Sequence, residues 1–353
     1  MSRFWTARTA ALTPYVPGEQ PAITSLIKLN TNEHPMPPSQ LAIDAMAAIS
    51  GDALRRYPDP TSRKLRLAIA DSESLGVEQV FVGNGSDEVL ATAFMALLAE
   101  GPALTVPDIT YSFYPVWATL YQVALRTAPL REDFTLDIEA LCNASGPVLI
   151  ANPNAPTGIA LTREEIRHIL ESDRNRLLIV DEAYFGFGAE TAAPLINEYD
   201  NLLITRTLSK SHALAGLRLG YALGNASLIE GLVRVKDSFN SYPIDVIAER
   251  VAEVAVGDRT WLQEAGHNVA AWREELRAGL ETMGFEVLPS RANFVFARHP
   301  EHEGRALFDA LRAKHIIVRR WDKPRLTQWL RITVGTPDQN QALLDALSQQ
   351  CME

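Results

Sequence analysis

A lysine sits within Thr207-Leu-Ser-Lys-Ser-His-Ala-Leu-Ala-Gly-Leu-Arg-Leu-Gly220, just after the apolar run Leu202-Leu-Ile204. The run reads as a buried strand, so Lys210 emerges where the chain leaves it. Ser209 precedes the lysine, and Arg218 follows among the small residues Ala213, Ala215, Gly216 and Gly220. A lysine in such company has two chemical uses. It can pair with a phosphate, or it can form a Schiff base with a carbonyl compound whose phosphate the hydroxyl and guanidinium hold. Taken alone, a lysine at a helix start is more often merely solvated, so its partners along the chain must decide.

The first partner is Asp181, which closes another apolar run, Leu177-Leu-Ile-Val180. A carboxylate at the end of a buried strand is desolvated and needs a cation, unless it only caps the next helix. Lys210 lies 29 residues on (210 − 181), one crossover unit away. The second partner is Gly83-Asn-Gly-Ser-Asp-Glu88, a turn opening a helix whose free N–H groups could cradle a phosphate. An imine-forming lysine, a buried carboxylate and a phosphate cradle are the three things pyridoxal phosphate needs. The carboxylate keeps the pyridine nitrogen protonated, and the lysine holds the aldehyde and later moves protons.

The elements that must position these groups follow an alternating pattern. Short apolar runs at Val80–Val82, Ala103–Val106, Val148–Ala151, Leu177–Val180 and Leu202–Ile204 alternate with helices. The helices are expected at 39–50, 62–72, 86–100 (with Gly101 as C-cap), 111–121 and, behind a Thr162/Glu165 capping box, up to Glu171. That alternation predicts an α/β fold: a mostly parallel sheet covered on both faces, with ligands at the carboxyl ends of the strands. Gly85–Asp87, Asn152–Gly158, Asp181–Tyr184 and Thr207–Lys210 then share one rim. After about residue 240 the pattern shifts to a long helical stretch, 244–283. Strands at 285–288, 293–297, 316–319 and 330–334 follow, with helices at 304–314 and 338–349. The expected organisation is an N-terminal arm (1–40) joining a small α+β domain (241–353, linking helix at about 245–283), and a large domain (41–240).

Bulk properties agree with a two-domain enzyme. The chain has 353 residues and a net charge of −10. The charge argues against nucleic acid or an anionic membrane as partner, and no run could span a bilayer. Cys142 and Cys351 lie far apart without metal-ligand spacing, so no metal site is expected and the chain reads as cytoplasmic.

The chain resembles the class II pyridoxal-phosphate aminotransferases of the aspartate aminotransferase fold and, among them, the histidinol-phosphate aminotransferases of histidine biosynthesis. The resemblance rests on an ordered set of motifs: Leu29-Asn-Thr-Asn-Glu33, Arg56-Tyr-Pro-Asp-Pro60, Gly83–Glu88, Thr110-Tyr-Ser-Phe-Tyr114, Pro153-Asn-Ala-Pro-Thr-Gly158, Asp181-Glu-Ala-Tyr184, Thr207–Ser211, Leu214–Arg218 and Leu330-Arg-Ile-Thr-Val-Gly335. It implies that Lys210 carries the cofactor, Asp181 pairs with the pyridinium, Tyr184 bonds the phenolic oxygen and Tyr111 stacks on the ring. Gly85, Ser86, Asp87, Thr207, Ser209 and Arg218 would take the phosphate. Tyr57 would reach that phosphate from the other subunit of a homodimer with shared sites. Arg331 would hold the substrate's acidic group. Arg319, with Tyr15 and Tyr242 near it, and Asn32 complete the substrate set, while Arg320 points away from it.

One position departs from the family pattern. Ala155 stands where the family often has the asparagine that bonds the phenolic oxygen; Asn154 takes that role, or Tyr184 acts alone. The implied reaction moves the amine of histidinol phosphate to 2-oxoglutarate, giving imidazole-acetol phosphate and glutamate. Aromatic amino-acid aminotransferases and a threonine-phosphate decarboxylase share the scaffold and stay open as alternatives. A nicotinamide-binding dehydrogenase fails, because Glu88 stands where its third fingerprint glycine belongs.

Overall fold

The computed structural model describes residues 2–23 and 25–352. In chain order, strand β1 (Ile27–Lys28) lies in the N-terminal arm. Seven strands follow: β2 (Val80–Gly83), β3 (Leu104–Pro107), β4 (Leu125–Ala128), β5 (Val148–Ala151), β6 (Leu178–Asp181), β7 (Leu202–Thr207) and β8 (Gly220–Gly224). The last four are β9 (Glu286–Val287), β10 (Phe294–Arg298), β11 (Ile316–Ile317) and β12 (Leu330–Thr333).

The seven strands from β2 to β8 form one sheet in the order β2-β8-β7-β6-β5-β3-β4. Every neighbouring pair from β7 to β4 is parallel, and β8 runs antiparallel to both β2 and β7. All residues of β5, β6 and β7 are buried, as apolar runs covered on both faces must be. The two-residue alternation of a strand divides them between two cores. Val148, Ile150, Val180 and Ile204 enter one; Leu149, Ile179 and Leu203 enter the other, with Phe94 and Trp117.

A smaller antiparallel sheet, β12-β10-β9, packs its own core of Leu29, Val295, Leu330, Ile332 and Leu347. The arm joins it through the parallel pair β1-β11 and a bond from Thr333 N to Leu29 O at 3.0 Å. No described helix is long and apolar enough to cross a membrane.

Several elements differ from expectation. Strands β4 and β8 and the helices Ile138–Cys142 and Ala226–Phe239 were not anticipated. The helix opening at Gly85 is regular only to Ala93; a wider turn, Phe94–Leu98, closes it through Ala99 N on Phe94 O, and Glu100 takes a φ of 62° before Gly101 is reached. The long helical stretch is two helices, Val246–Gly257 and Arg259–Thr282, because Asp258 leaves helical geometry and caps Trp261 N. Only the second helix serves the small sheet, through Leu276 and Leu280. The first buries Val251 and Ala252 in the large sheet's core, so the packing changes later than the expected division at 240/241.

Candidate active site

Strand pairing brings the two key tips together. Asp181 is the last residue of β6 and stands in register with Thr205 of β7. Lys210 lies on the single turn Leu208–Ser211 that follows β7, started by Thr207, whose hydroxyl accepts from Ser209 N. Both side chains line one cavity of about 430 Å³, together with Asn32, Tyr184, Arg218 and Arg331. A second chamber of about 230 Å³ shares the walls Tyr15, Tyr111, Ala155, Arg319 and Arg331 and extends to Trp321.

Burial sets the charge state of both groups. It pushes the Lys210 amine down to about 8, with Arg331, Lys28 and Arg218 adding to the effect and Glu33 opposing it. A buried lysine so displaced carries a usable fraction of neutral, nucleophilic amine near neutral pH. Its Nζ donates to the Thr31 carbonyl at 2.7 Å. Burial likewise pushes the Asp181 carboxyl up to about 6, against hydrogen bonds from Tyr114, Thr205 and the Ala183 amide. Those bonds are Tyr114 Oη to Oδ2 at 2.9 Å, and Thr205 Oγ1 and Ala183 N to Oδ1 at 3.2 Å each. A carboxylate this well wrapped and still short of charge compensation suits a cationic ring nitrogen.

The cradle forms where the helix Gly85–Ala93 begins. Gly85 has a φ of 83°, and a Cβ there would lie 2.7 Å from Arg218 Nη2, so backbone and guanidinium close on the same small space. A Cβ on Gly220 would lie 2.3 Å from Ser86 N, which shows how tightly β8 supports the turn. Arg218 reaches Ser209 Oγ and Asp87 Oδ2 at 3.4 Å each, and Asp87 Oδ1 accepts from Tyr111 Oη at 3.3 Å. Ser86, Asp87, Thr207, Ser209 and Arg218 all line the cavity. Unpaired first-turn N–H groups, three hydroxyls and a guanidinium make a phosphate-sized donor set, so these residues fit a phosphate-tailed aldehyde cofactor.

Other expected residues also meet here. Asn32, buried with a φ of 55°, donates from Nδ2 to Tyr184 Oη at 2.9 Å, which leaves the phenolic hydrogen free to donate into the cavity. Burial raises the Tyr184 and Tyr111 phenols, so both stay protonated donors. Arg319 and Arg331 face each other across a bridge, with Tyr15 close by in the same cavity wall.

Three expected side chains are not in the cavity. Asn154 is fully buried, and its Nδ2 is spent on Ile109 O (3.0 Å) and Thr157 Oγ1 (3.2 Å). The loop turns it into the protein and presents the Ala155 methyl instead, so the expectation that Asn154 bonds the phenolic oxygen is corrected. Tyr242 does not approach Arg319. It follows the helix Ala226–Phe239, its N–H is held by Asn240 Oδ1, and its ring stacks on Tyr57 at 4.7 Å. Tyr57 itself is 83% exposed. The pair lies outside the cradle, where Asn84 Nδ2 donates to Pro243 O.

Sequence reasoning passed over Tyr114, Thr205 and the Thr31 carbonyl. Thr205 could have been found as a polar residue in an otherwise apolar buried strand, in register with Asp181. Arg320, expected to point away, pairs with Asp322 at 2.6 Å.

A large, mostly parallel sheet, a small antiparallel one and an amine and carboxylate on neighbouring tips define the aspartate aminotransferase fold. The family described as aminotransferase class I and II matches residues 24–347, and the chain belongs to it. A histidinol-phosphate aminotransferase of Gluconacetobacter diazotrophicus is 52% identical over 347 residues, 98% of each chain. One from Acetobacter pasteurianus is 53% identical over the same length and coverage. Among solved structures, the histidinol-phosphate aminotransferase of Sinorhizobium meliloti in complex with pyridoxal-5'-phosphate has a TM-score of 0.88 at 24% identity, covering 100% of this chain and 98% of that one. An aspartate aminotransferase variant of Thermus thermophilus has a TM-score of 0.83 at 19% identity, covering 99% of each. These two likenesses speak for the fold.

Proposed function

We propose that the chain is a pyridoxal-phosphate-dependent histidinol-phosphate aminotransferase, with 2-oxoglutarate as amine acceptor. The observation that carries this reading is the shared cavity of Lys210 and Asp181, with the Gly85–Asp87 cradle beside them and two arginines at the far wall. When bound, the cofactor supplies an aldehyde for the substrate's amine and a ring that accepts its electron pair.

The protein residues do the rest. Lys210 would hold the cofactor's aldehyde, and its amine, lowered to about 8 by burial, would serve as the base that takes a proton from the substrate's amine-bearing carbon. Asp181 keeps the ring nitrogen protonated. Tyr184 donates to the phenolic oxygen, and Ala155 leaves that oxygen without the second donor common in the family. Tyr111, in the cavity wall, would cover a face of the ring and exclude water. Ser86, Asp87, Thr207, Ser209 and Arg218 hold the phosphate. Arg331, Arg319 and Tyr15 receive the substrate's distal anion, a phosphate ester in one half-reaction and a carboxylate in the other; Asn32 orients Tyr184.

The active unit is a homodimer. The support is the exposed Tyr57–Tyr242 stack, together with the 83%-exposed Phe239 three residues before Tyr242 in the chain, apolar surface of the kind a partner covers. Tyr57 reaches the partner's phosphate cradle, with Tyr242 stacked against it. The enzyme works in the cytoplasm, a reading supported by its two widely separated cysteines.

The test is a steady-state comparison of histidinol phosphate with phenylalanine and tyrosine, each with 2-oxoglutarate, following glutamate. A preference for histidinol phosphate is expected. The aromatic walls Tyr15, Tyr111 and Trp321 favour an aromatic amino acid as the second reading, and preference for phenylalanine establishes it instead.

A further inference from the structure

Arg319 and Arg331 form a hydrogen-bonded cross-strand pair: Arg319 N donates to Arg331 O at 3.0 Å, and Arg331 N to Arg319 O at 2.8 Å. Residues so paired send their side chains to the same face, and like charges directly opposite each other are destabilising. Nature's usual remedy is a carboxylate, yet among the described residues neither guanidinium has one within ion-pair distance. Arg319 reaches only the carbonyls of Val16 and Pro17 at 3.4 Å, and Arg331 Nη2 reaches Asn30 O at 2.8 Å. Arg331 Nε is buried with no partner at all.

One side chain is common to both. The Trp321 ring has the Arg319 guanidinium carbon 5.6 Å from its centroid and that of Arg331 at 5.3 Å. The indole also lines the second chamber and leans edge-on against Phe296 of β10, whose ring is buried in the core beneath the large sheet. An aromatic face attracts a cation without neutralising it. A carboxylate in the same place would consume the charge that a ligand needs.

We propose that Trp321 is a specificity-determining positioning residue: it holds Arg319 and Arg331 side by side and uncompensated, so that the far wall prefers a dianionic phosphate ester to a monocarboxylate. The inference deepens the reading of this cavity as a histidinol-phosphate site and rests on it for the identity of the ester. Phe294, at 5.4 Å from the Arg331 guanidinium carbon, touches only one member of the pair and cannot serve this purpose.

The experiment titrates the holoenzyme, whose cofactor already fills its own phosphate cradle, with inorganic phosphate and separately with acetate by calorimetry. Trp321→Leu is expected to weaken phosphate about tenfold and acetate less than about threefold, with the cofactor's visible band unchanged. Trp321→Phe, a weaker aromatic face, is expected to fall between Leu and wild type. With histidinol phosphate, the Leu variant raises KM and leaves kcat within about twofold. Unchanged phosphate affinity in Trp321→Leu, or an equal loss for phosphate and acetate, overturns the proposal. Should the Leu variant not fold, wild-type phosphate affinity in Trp321→Phe overturns it just as well. A wild-type enzyme that does not turn over histidinol phosphate, while the Leu variant still loses phosphate selectively, refutes the substrate and leaves the role of the indole intact.

Discussion

The Tyr114 hydroxyl donates to Asp181 Oδ2 at 2.9 Å from a fully buried position three residues beyond Tyr111, whose ring meets its own edge-on at 5.5 Å. One short segment thus supplies both an aromatic ring of the cavity wall and the phenol that steadies the buried carboxylate. A donor on a carboxylate favours the charged form, so Tyr114 restrains the upward displacement that burial imposes on Asp181. In Tyr114→Phe the Asp181 carboxyl is expected to titrate above 6 in the cofactor-free protein, read by carboxyl-labelled NMR. Turnover should fall by roughly three- to thirtyfold with the fold intact. A titration unchanged from wild type contradicts the assignment.

The same carboxyl gives a signed pH dependence. Its folded value is raised from 3.8 to about 6, so the folded state binds the proton more tightly, and stability falls as pH rises through that window. Lys210 is lowered from 10.5 to about 8, so the unfolded state binds the proton more tightly there, and stability rises between about 8 and 10.5. Each displacement is worth roughly 3 kcal/mol at full titration. His34 and His212, both lowered to about 4 by burial, act in the opposite sense to Asp181 in the acid window. Comparison with a variant therefore isolates the carboxyl: the stability of cofactor-free Asp181→Asn relative to wild type should grow as pH rises from 4 to 6, measured by urea unfolding. A difference flat across that range refutes the displacement.

Asn154 is structural in this chain. Asn154→Ala leaves the Ile109 carbonyl without its buried donor and is expected to cost about 1–3 kcal/mol of stability. The absorbance of the bound cofactor should keep its pH dependence, because the side chain does not enter the cavity. A shifted spectral titration would restore the role that the sequence suggested.

The Tyr57–Tyr242 stack predicts complementation between subunits. A chain carrying Tyr57→Ala and Tyr242→Ala, and another carrying Lys210→Ala, are each expected to be impaired. Hybrids refolded from an equal mixture should regain about a quarter of wild-type activity, since random pairing makes half the dimers hybrid with one sound site each. Activity no better than the average of the two parents excludes sharing.

Legibility varied with how local each feature is. Lys210, Asp181 and the Gly85 turn were readable because each stands at the end of a run whose chemistry changes abruptly. Strand β8, Gly-Tyr-Ala-Leu-Gly, was not, because glycine at both ends weakens any strand signal; Gly220 is there for its close approach to Ser86. Asp258 was passed over as a break because the apolar periodicity continues on both sides of it. Which of Asn154 and Ala155 faces the cavity depends on how the loop folds against Ile109, forty-five residues earlier in the chain. The destination of Tyr242 is set by the unanticipated helix Ala226–Phe239.

The segment Leu29–Asn32 has a mechanical consequence. Leu29 is anchored in the small sheet's core, the Thr31 carbonyl holds the Lys210 amine, and Asn32 grips both Thr333 and the Tyr184 hydroxyl. Four consecutive residues therefore tether the smaller body to the two reactive side chains of the larger one. Any hinge movement tugs on amine and phenol together, so the chain itself is the linkage that keeps their motions in step.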